Sequence, residues 1–219
     1  MLRFFLRFVF AAAFSLGVLG SCMGISSVIS LRRDGSGTIS LEYRLSSEME
    51  SLGKLDGNAM WPAVPIGRAD FERTAARVPG LAVKSFRTFI EKNDVVSRVT
   101  LSFAGVDALV RFLDASGGRA FLSTENGVLC LSLLLAAEGG GVESGLRELI
   151  DEASRGYFLS MSFSLPSEAE AILVGEKNTP VDLPKGWELT GGSRVSFSAP
   201  IGEALLFDGP LYLEIRWKP

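Results

Sequence analysis

Apolar and polar residues alternate along much of this chain, and the alternation predicts β-strands. Between Thr38 and Leu45, the side chains at positions 39, 41, 43 and 45 are apolar or aromatic, and the residues between them are polar. A period of two is typical of a strand that buries one face. The same alternation recurs over Tyr157–Leu165 and Leu211–Trp217. These three segments are therefore predicted to be half-buried strands.

Turn residues divide most of the remaining apolar segments into three hairpins. The predicted pairs are Val28–Arg33 with Thr38–Leu45, Val83–Ile90 with Val95–Phe103, and Arg119–Thr124 with Val128–Ala137. Asp34-Gly35-Ser36-Gly37 joins the first pair, Asn93 and Asp94 the second, and Asn126-Gly127 the third, which is a preferred two-residue hairpin turn. The second arm of the third hairpin is apolar on both faces, which predicts a central strand covered on both sides.

Helical periodicity follows each hairpin. Apolar residues recur at positions 106, 109, 110 and 113, and again at 142, 146, 149, 150 and 153 after Gly139-Gly140-Gly141. Two more helices are predicted over Ser47–Leu55 and Arg68–Val78. Pro180 and Pro184 indicate a mostly irregular segment over Pro166–Gly192. The predicted fold class is α+β: an antiparallel sheet of successive hairpins, with ββα repeated three times and then further strands, and with the helices packed on one face.

The N-terminus has the layout of a secretory signal peptide. Arg3 and Arg7 precede an apolar core over Phe8–Val18, and Leu19-Gly20-Ser21-Cys22 follows. The apolar run is too short for a permanent transmembrane helix, which needs about 20 apolar residues. The residues alone leave two interpretations open, a lipoprotein signal or an ordinary signal peptide with Cys22 as an incidental thiol.

Leu19-Gly20-Ser21-Cys22 resembles the lipobox of bacterial lipoproteins. The resemblance implies cleavage between Ser21 and Cys22, and attachment of diacylglycerol and a further acyl chain such as palmitate to Cys22. Met23 follows in place of Asp, which by resemblance to a bacterial sorting rule favours the outer membrane over other sites in the cell envelope. We therefore expect a signal peptide over 1–21, a lipidated tether over 22–27 and a single extracytoplasmic domain over 28–219, held to the membrane by its N-terminal acyl chains.

Composition excludes several kinds of chemistry. The chain has no histidine, so Ser-His-Asp and Cys-His nucleophile arrangements and the commonest metal ligand are missing. Its two cysteines are Cys22 and Cys130, and the latter lies in an apolar segment where a free thiol packs as a small hydrophobe. The formal net charge is −3 and there is no basic run, which argues against nucleic acid. We expect no metal, no cofactor and no enzymatic activity.

Three weaker motifs could carry chemistry, but each also has an ordinary structural explanation. Gly139-Gly140-Gly141 lacks the lysine and hydroxyl of a phosphate-binding loop and is better explained as a flexible link. Glu168 and Glu170 could form an acid–base pair, but exposed acids are common and no partner stands nearby in sequence. The three tryptophans, Trp61, Trp187 and Trp217, could stack on sugars. The alternation around Trp217 places that residue in the core. The role of Trp187 is left undecided.

The order of elements resembles the LppM-like domain of bacterial lipoproteins. The resemblance is carried by the Val-Ile-Ser-Leu-Arg-Arg-Asp-Gly-Ser-Gly-Thr hairpin close behind Cys22 and by the closing strand that ends at Trp217. It covers most of residues 25 to 217. It implies an extracytoplasmic α+β domain with a role in binding lipid or glycolipid, and no catalytic residue transfers from it.

The sequence therefore favours a non-catalytic lipoprotein that binds lipid or another amphiphile. Met49, Leu52, Met60 and Trp61 are the candidate ligand-binding residues, as a lid over a cavity of about 300–1,000 Å³. The alternative is an envelope assembly or surface interaction (host-contact) lipoprotein with a filled core and an exposed apolar patch. An enzyme is the third hypothesis.

Overall fold

The structure is a computed structural model that describes residues 23–47, 67–115, 117–136, 144–176 and 179–219. The strands in these ranges are β1 Met23–Leu31, β2 Gly37–Ser46, β3 Leu81–Glu91, β4 Asp94–Phe103, β5 Ala120–Glu125, β6 Val128–Ala136, β7 Phe158–Val174, β8 Glu188–Thr190, β9 Gly192–Pro200 and β10 Leu211–Trp217. The helices are α1 Arg68–Arg77, α2 Val106–Leu113, α3 Ser144–Ala153 and α4 Ile201–Leu205.

The three predicted hairpins form, as β1–β2, β3–β4 and β5–β6. Asn126 and Gly127 have φ values of 51° and 77°, the left-handed pair that a tight hairpin turn of this type requires. The second turn lies one residue earlier than predicted, since Lys92 has a φ of 56° and Glu91 pairs with Asp94. β1 begins at Met23, which pairs with Leu45, so the residues from Met23 onward that we expected in the tether belong to the sheet.

The predicted fold class is wrong. The sheet has the order β3-β4-β2-β1-β7-β10-β6-β5, with β9 paired to β7 and β8 to β9. The third hairpin is thus separated from the other two by β7 and β10, and β1 runs parallel to β7. The chain is mostly β and folds as a curled mixed sheet with four short helices in the described ranges. Two strands and a helix do follow one another three times along the chain, but these units do not build a ββα-repeat α+β fold.

A long strand, β7, accounts for this difference. Its residues Leu159–Ser164 run parallel to β1, and Ala169–Val174 pair antiparallel with β10. Pro166 lies between the two parts, where the register with β9 also shifts. Because proline has no backbone N–H to donate, it is tolerated at such an irregularity. The strand then continues to Val174, so our prediction of an irregular segment from Pro166 onward is wrong up to that residue.

Because the sheet curls, the helices do not form the single layer on one face that we predicted. Helix α2 contacts β3 and β4 near one end of the strand order and β5 at the other end. Its Ala108 and Leu109 are buried in the same core cluster as Leu131 of β6 and Leu101 of β4. Strands from distant parts of the order therefore share one core, and α2 fills the gap between them. β6 lies next to the edge strand β5 and is only half-buried at several positions, so it is less central than predicted.

The inward side of the sheet, called here the apolar face, is filled at its centre. One row of paired residues crosses β4, β2, β1, β7 and β9, and each is at most 1 % exposed: Leu101, Ile39, Ile29, Phe163 and Val195. The next row contains Ser27 between Leu41 and Met161. The row after it contains Tyr43, Ile25 and Leu159, all half-buried. Burial thus decreases toward the end of the sheet where β1 begins.

The motif Asp34-Gly35-Ser36-Gly37 has a structural role. Asp34 Oδ1 accepts hydrogen bonds from the backbone N–H of Ser36 at 2.9 Å and from its hydroxyl at 2.7 Å, which closes the turn. A Cβ at position 37 would lie 2.0 Å from the carbonyl oxygen of Ser30 and 2.4 Å from the Phe103 ring, so only glycine fits there. The requirements of the turn therefore explain the Asp34-Gly35-Ser36-Gly37 motif, and no ligand-binding role is needed to account for it.

Candidate ligand groove

An open groove of 570 Å³ lies on the surface between α3, the turn that precedes β8, and α4 with the residues that follow it. Its apolar and aromatic lining comes from one tryptophan, one phenylalanine, one leucine and one proline. Its polar lining consists of four carboxylates and one guanidinium. The lining residues are Arg147, Glu148, Asp151, Pro184, Trp187, Glu203, Leu206, Phe207 and Asp208.

Trp187 forms the floor of the groove and is held in a fixed position. It is only 5 % exposed, and its ring meets that of Phe197 edge-on, with centroids 5.7 Å apart. The Phe207 ring lies on another side of the indole, with centroids 6.0 Å apart and planes inclined by 52°. The indole N–H donates to Glu203 Oε2 at 2.8 Å. The backbone N–H of Trp187 donates to the carbonyl of Pro184, which makes the turn that presents the ring.

The rim of the groove carries an excess of negative charge. Arg147 and Asp208 face each other at 3.5 Å, but both are well exposed to solvent, so this ion pair adds little stability. Glu148, Asp151 and Glu203 have no cationic partner among the described residues. Surplus carboxylates beside the half-buried Phe207 ring favour an organic cation, because the carboxylates and the face of an aromatic ring both attract positive charge.

Close packing between α4 and the end of α3 forms the groove walls. A Cβ at Gly202 would lie 2.1 Å from the hydroxyl oxygen of Ser154, so α4 approaches the end of α3 as closely as it does because residue 202 is glycine. Ile201 and Ala204 are buried beside it. The N–H of Ile201 donates to the carbonyl of Tyr157 at 3.0 Å, which fixes the start of α4 to the start of β7.

Most of the site residues that the sequence predicted do not lie in this groove. Ser21 and Cys22 lie outside the described residues, as do Gly139-Gly140-Gly141 and the four residues of the predicted lid, Met49, Leu52, Met60 and Trp61. Trp187, which the sequence left open, is the one tryptophan in the groove. Trp217 belongs to the core at 2 % exposure, and its indole N–H has no acceptor within the described ranges. Glu168 and Glu170 are exposed residues of β7 and do not line the groove.

Sequence reasoning missed the charged rim. Its residues come from α3, from α4 and from the turn after α4, and no spacing in the chain relates them. The sequence does not distinguish the Phe207-Asp208-Gly209 turn, in which only Asp208 is exposed, from other surface turns. The one feature of the sequence that points to the groove is Trp187, an isolated tryptophan that follows Pro184 and Gly186. It does not show which residues surround the indole.

A second polar cluster lies on the outer side of the sheet, around Glu42. Arg98 Nε and Arg44 Nε each donate to its carboxylate at 2.8 Å. Partial burial on its own would raise the pKa of Glu42, but the hydrogen bonds from Arg98 and Arg44 outweigh it, and the pKa lies below its ordinary value of 4.5. Arg44 also contacts Glu91 and lies 3.9 Å from Asp94. The two guanidinium groups satisfy this carboxylate, so the cluster serves the sheet.

Two classes of feature do not occur in the described part of the chain. It contains no group of three or more metal-ligating side chains. None of its helices is both long enough and apolar enough to cross a membrane.

Comparisons with known proteins give one structural likeness. No protein-family model matches the chain, and no curated protein matches it. Among solved structures, it is similar to the NMR structure of the folded domain of Mycobacterium tuberculosis LppM, with 10% sequence identity and a TM-score of 0.46. The alignment covers 90% of this chain and 91% of that one.

Proposed function

We propose that this chain is a lipid-anchored protein of the bacterial cell envelope that binds a lipid or another amphiphile in the groove at Trp187, without catalysing a reaction. The groove carries the proposal. Its volume of 570 Å³ falls within the range of about 300–1,000 Å³ that is usual for ligand sites. An apolar floor with charged groups at the rim is suited to a molecule that is apolar at one end and polar at the other.

The charges at the rim define the polar end of the ligand. One guanidinium and four carboxylates surround the aromatic floor. A head group with an ammonium would be attracted by the carboxylates and by the half-buried ring of Phe207. An anionic head group would be repelled. We therefore propose a cationic or zwitterionic amphiphile, with its ammonium group at the rim and its apolar part against Leu206 and Phe207.

The anchor is proposed from the sequence around Cys22. Two or more acyl chains on one residue hold a protein stably at a membrane, whereas one chain gives marginal binding. Met23 in the position after Cys22 favours the outer membrane. The Cys22→Ser protein tests this part: it should lose incorporation of labelled palmitate and partition into the aqueous phase with detergent. Continued labelling of the Cys22→Ser protein would contradict the anchor.

A non-catalytic role agrees with the chemistry of the groove. The chain has no histidine. Two of the four rim carboxylates already have partners, since Glu203 accepts from the indole N–H of Trp187 and Asp208 faces Arg147. A role in assembly or surface contact is the second candidate. It is favoured by the well-packed centre of the apolar face, where Ile29, Ile39 and Phe163 are each at most 1 % exposed.

A series of detergents with different head groups tests the groove. Mature Cys22→Ser protein would be titrated, below micelle formation, with dodecyltrimethylammonium, dodecyl maltoside and dodecyl sulfate, followed by tryptophan fluorescence and native mass spectrometry. We expect the ammonium compound to bind most tightly. Leu206→Arg, which places a cation in the groove, should weaken its binding about tenfold or more, the equivalent of about 1.4 kcal/mol.

Leu205→Arg is the matched control, because Leu205 is the preceding residue, is already 37 % exposed and does not line the groove. It should leave binding unchanged. If all three detergents bind equally to wild type and to both variants, the groove is not the site. If the mass spectra contain only the bare polypeptide, the second candidate function is favoured.

A further inference from the structure

We propose that the end of the sheet where β1 begins lies against the lipid bilayer, with Ile90 and Phe158 in contact with lipid on either side of the anchor. This inference rests on the proposed lipidation of Cys22 and adds an orientation of the protein on the membrane. The surface, called here the membrane end, consists of the first residues of β1, β4 and β7 and the last residues of β2 and β3. Its strand pairs involve Met23, Leu45, Ile90, Val95 and Phe158, of which Ile90 and Phe158 are exposed and Leu45 is buried.

The first argument is the absence of a spacer between the anchor and the sheet. Met23 is already paired with Leu45 in the sheet, and Cys22 is the next residue toward the N-terminus. One residue of extended chain spans at most about 3.6 Å. Acyl chains on Cys22 that enter the bilayer would therefore hold Met23 at the depth of the lipid head groups. A tether of five free residues would have left the orientation open.

The second argument is the position of two exposed apolar side chains. Ile90 is 74 % exposed, the highest value among the exposed large hydrophobic residues of the described chain, and Phe158 is 47 % exposed. Ile90 pairs with Val95, Val95 with Leu45 and Leu45 with Met23, so all four occupy one row. Strand spacing puts Ile90 about 14 Å from Met23, three strands away.

Phe158 stands on the other side of the anchor. β7 is the strand next to β1, and Ile25 pairs with Leu159, which places Phe158 beside Gly24. Its carbonyl oxygen lies 3.8 Å from the position of a Cβ on Gly24. The anchor thus lies between the two apolar side chains. Membrane attachment at Cys22 brings both of them to the interface at once, where their transfer from water to lipid is favourable.

The third argument is the charge at the membrane end. Its carboxylates are engaged: Glu91 contacts Arg44, and Asp94 accepts a hydrogen bond of 2.8 Å from the hydroxyl of Tyr157. Its cations at the two turns, Lys92 and Arg155, are exposed and make no ion pair within the described residues. These two exposed cations suit a bilayer that contains anionic lipid.

Site-directed fluorescence on the lipidated protein tests the orientation. Full-length protein would be expressed so that Cys22 is processed, with Cys130→Ser to remove the other thiol, and with a single new cysteine in each of three variants: Ile90→Cys, Phe158→Cys and Phe121→Cys. Phe121 is the matched control, because it is a 51 % exposed phenylalanine on β5 whose row runs through Ser132 and Glu214 to Ile172, near the end of β7 opposite to Phe158. Each variant would be labelled with an environment-sensitive NBD dye and reconstituted in vesicles of phosphatidylethanolamine with phosphatidylglycerol.

We expect the dyes at positions 90 and 158 to shift their emission to the blue and to lose fluorescence when doxyl lipids are added. The dye at 121 should keep its emission in water and resist the quencher. If Cys22 carries acyl chains by mass spectrometry and all three dyes remain in water, or if 121 is quenched as strongly as 90, the orientation is wrong while the anchor stands. If mass spectrometry finds no acyl chain on Cys22, the anchor and the orientation both fail.

Discussion

The hydroxyl of Tyr157 donates a hydrogen bond of 2.8 Å to Asp94 Oδ1, although 63 positions separate the two residues. Tyr157 precedes β7 and Asp94 begins β4, and β1 and β2 lie between these strands in the sheet. The ring crosses over Gly24, where a Cβ would lie 3.3 Å from Tyr157 Cδ1. This contact spans four strands at the membrane end, and the glycine at position 24 leaves room for the ring.

Tyr157→Phe should lower the free energy of unfolding by about 1 kcal/mol, because the carboxylate of Asp94 loses a hydrogen bond. Urea denaturation monitored by circular dichroism measures the change. Tyr212→Phe is the control: it removes another half-buried tyrosine hydroxyl, for which no hydrogen bond is described. An equal loss in both variants would mean that the Tyr157–Asp94 contact does not contribute.

Ser27→Ala should raise the free energy of unfolding by up to about 1 kcal/mol. Ser27 is 5 % exposed, lies between Leu41 and Met161 in the sheet, and its hydroxyl has no partner within the described residues. Removing it ends the cost of burying an unpaired polar group. Ser30→Ala, on the outer side of the same strand, should change stability by less than about 0.5 kcal/mol. Destabilisation by Ser27→Ala would show that the hydroxyl is satisfied.

Glu42→Gln should lower stability at neutral pH by about 1 kcal/mol, and the difference from wild type should shrink in acid. The hydrogen bonds from Arg98 and Arg44 hold the folded pKa of Glu42 below its ordinary value of 4.5. A depressed pKa stabilises the fold above the unfolded value, and this contribution is lost as the pH falls through the folded value.

Urea denaturation at pH 7 and at successively lower pH below 4.5 measures this dependence. Glu125→Gln, at the exposed end of β5, is the control and should follow the wild-type pH profile. A difference between Glu42→Gln and wild type that stays constant or grows as the pH falls would contradict the assigned role of the two arginines.

Glu203→Ala should destabilise the protein by about 1 kcal/mol or more, whereas Glu203→Gln should retain most of the stability. The indole N–H of the buried Trp187 donates to Glu203 Oε2, and alanine would leave that donor without an acceptor. Glutamine still offers a carbonyl oxygen. Thermal unfolding followed by tryptophan fluorescence separates the two variants. Equal behaviour of the alanine and glutamine variants would show that the N–H finds another acceptor, such as water.

Local patterns in the sequence predicted the hairpins well. The alternation over β2 and the turn residues Asn126-Gly127 and Asp34-Gly35 depend on neighbours a few residues apart, and the structure has these strands and turns. The anchor prediction is of the same kind, since Leu19-Gly20-Ser21-Cys22 is contiguous. The groove was indicated only by Trp187, because its other walls come from α3 and α4, which are more than 40 positions apart.

The tertiary structure decided how the hairpins combine. The parallel pairing of β1 with β7 joins Ile25 to Leu159, and the change of partner near Pro166 brings β10 and the third hairpin into the same sheet. An alternation of period two predicts which face of a strand is buried, but it does not predict which other strand pairs with that strand. The sequence alone therefore determined the three hairpins and the expected lipidation site, but not the continuation of β7 beyond Pro166 or the strand β8. The order of the strands, the curl of the sheet and the groove were decided by long-range pairing, because its free energy depends on residues that are distant in the chain.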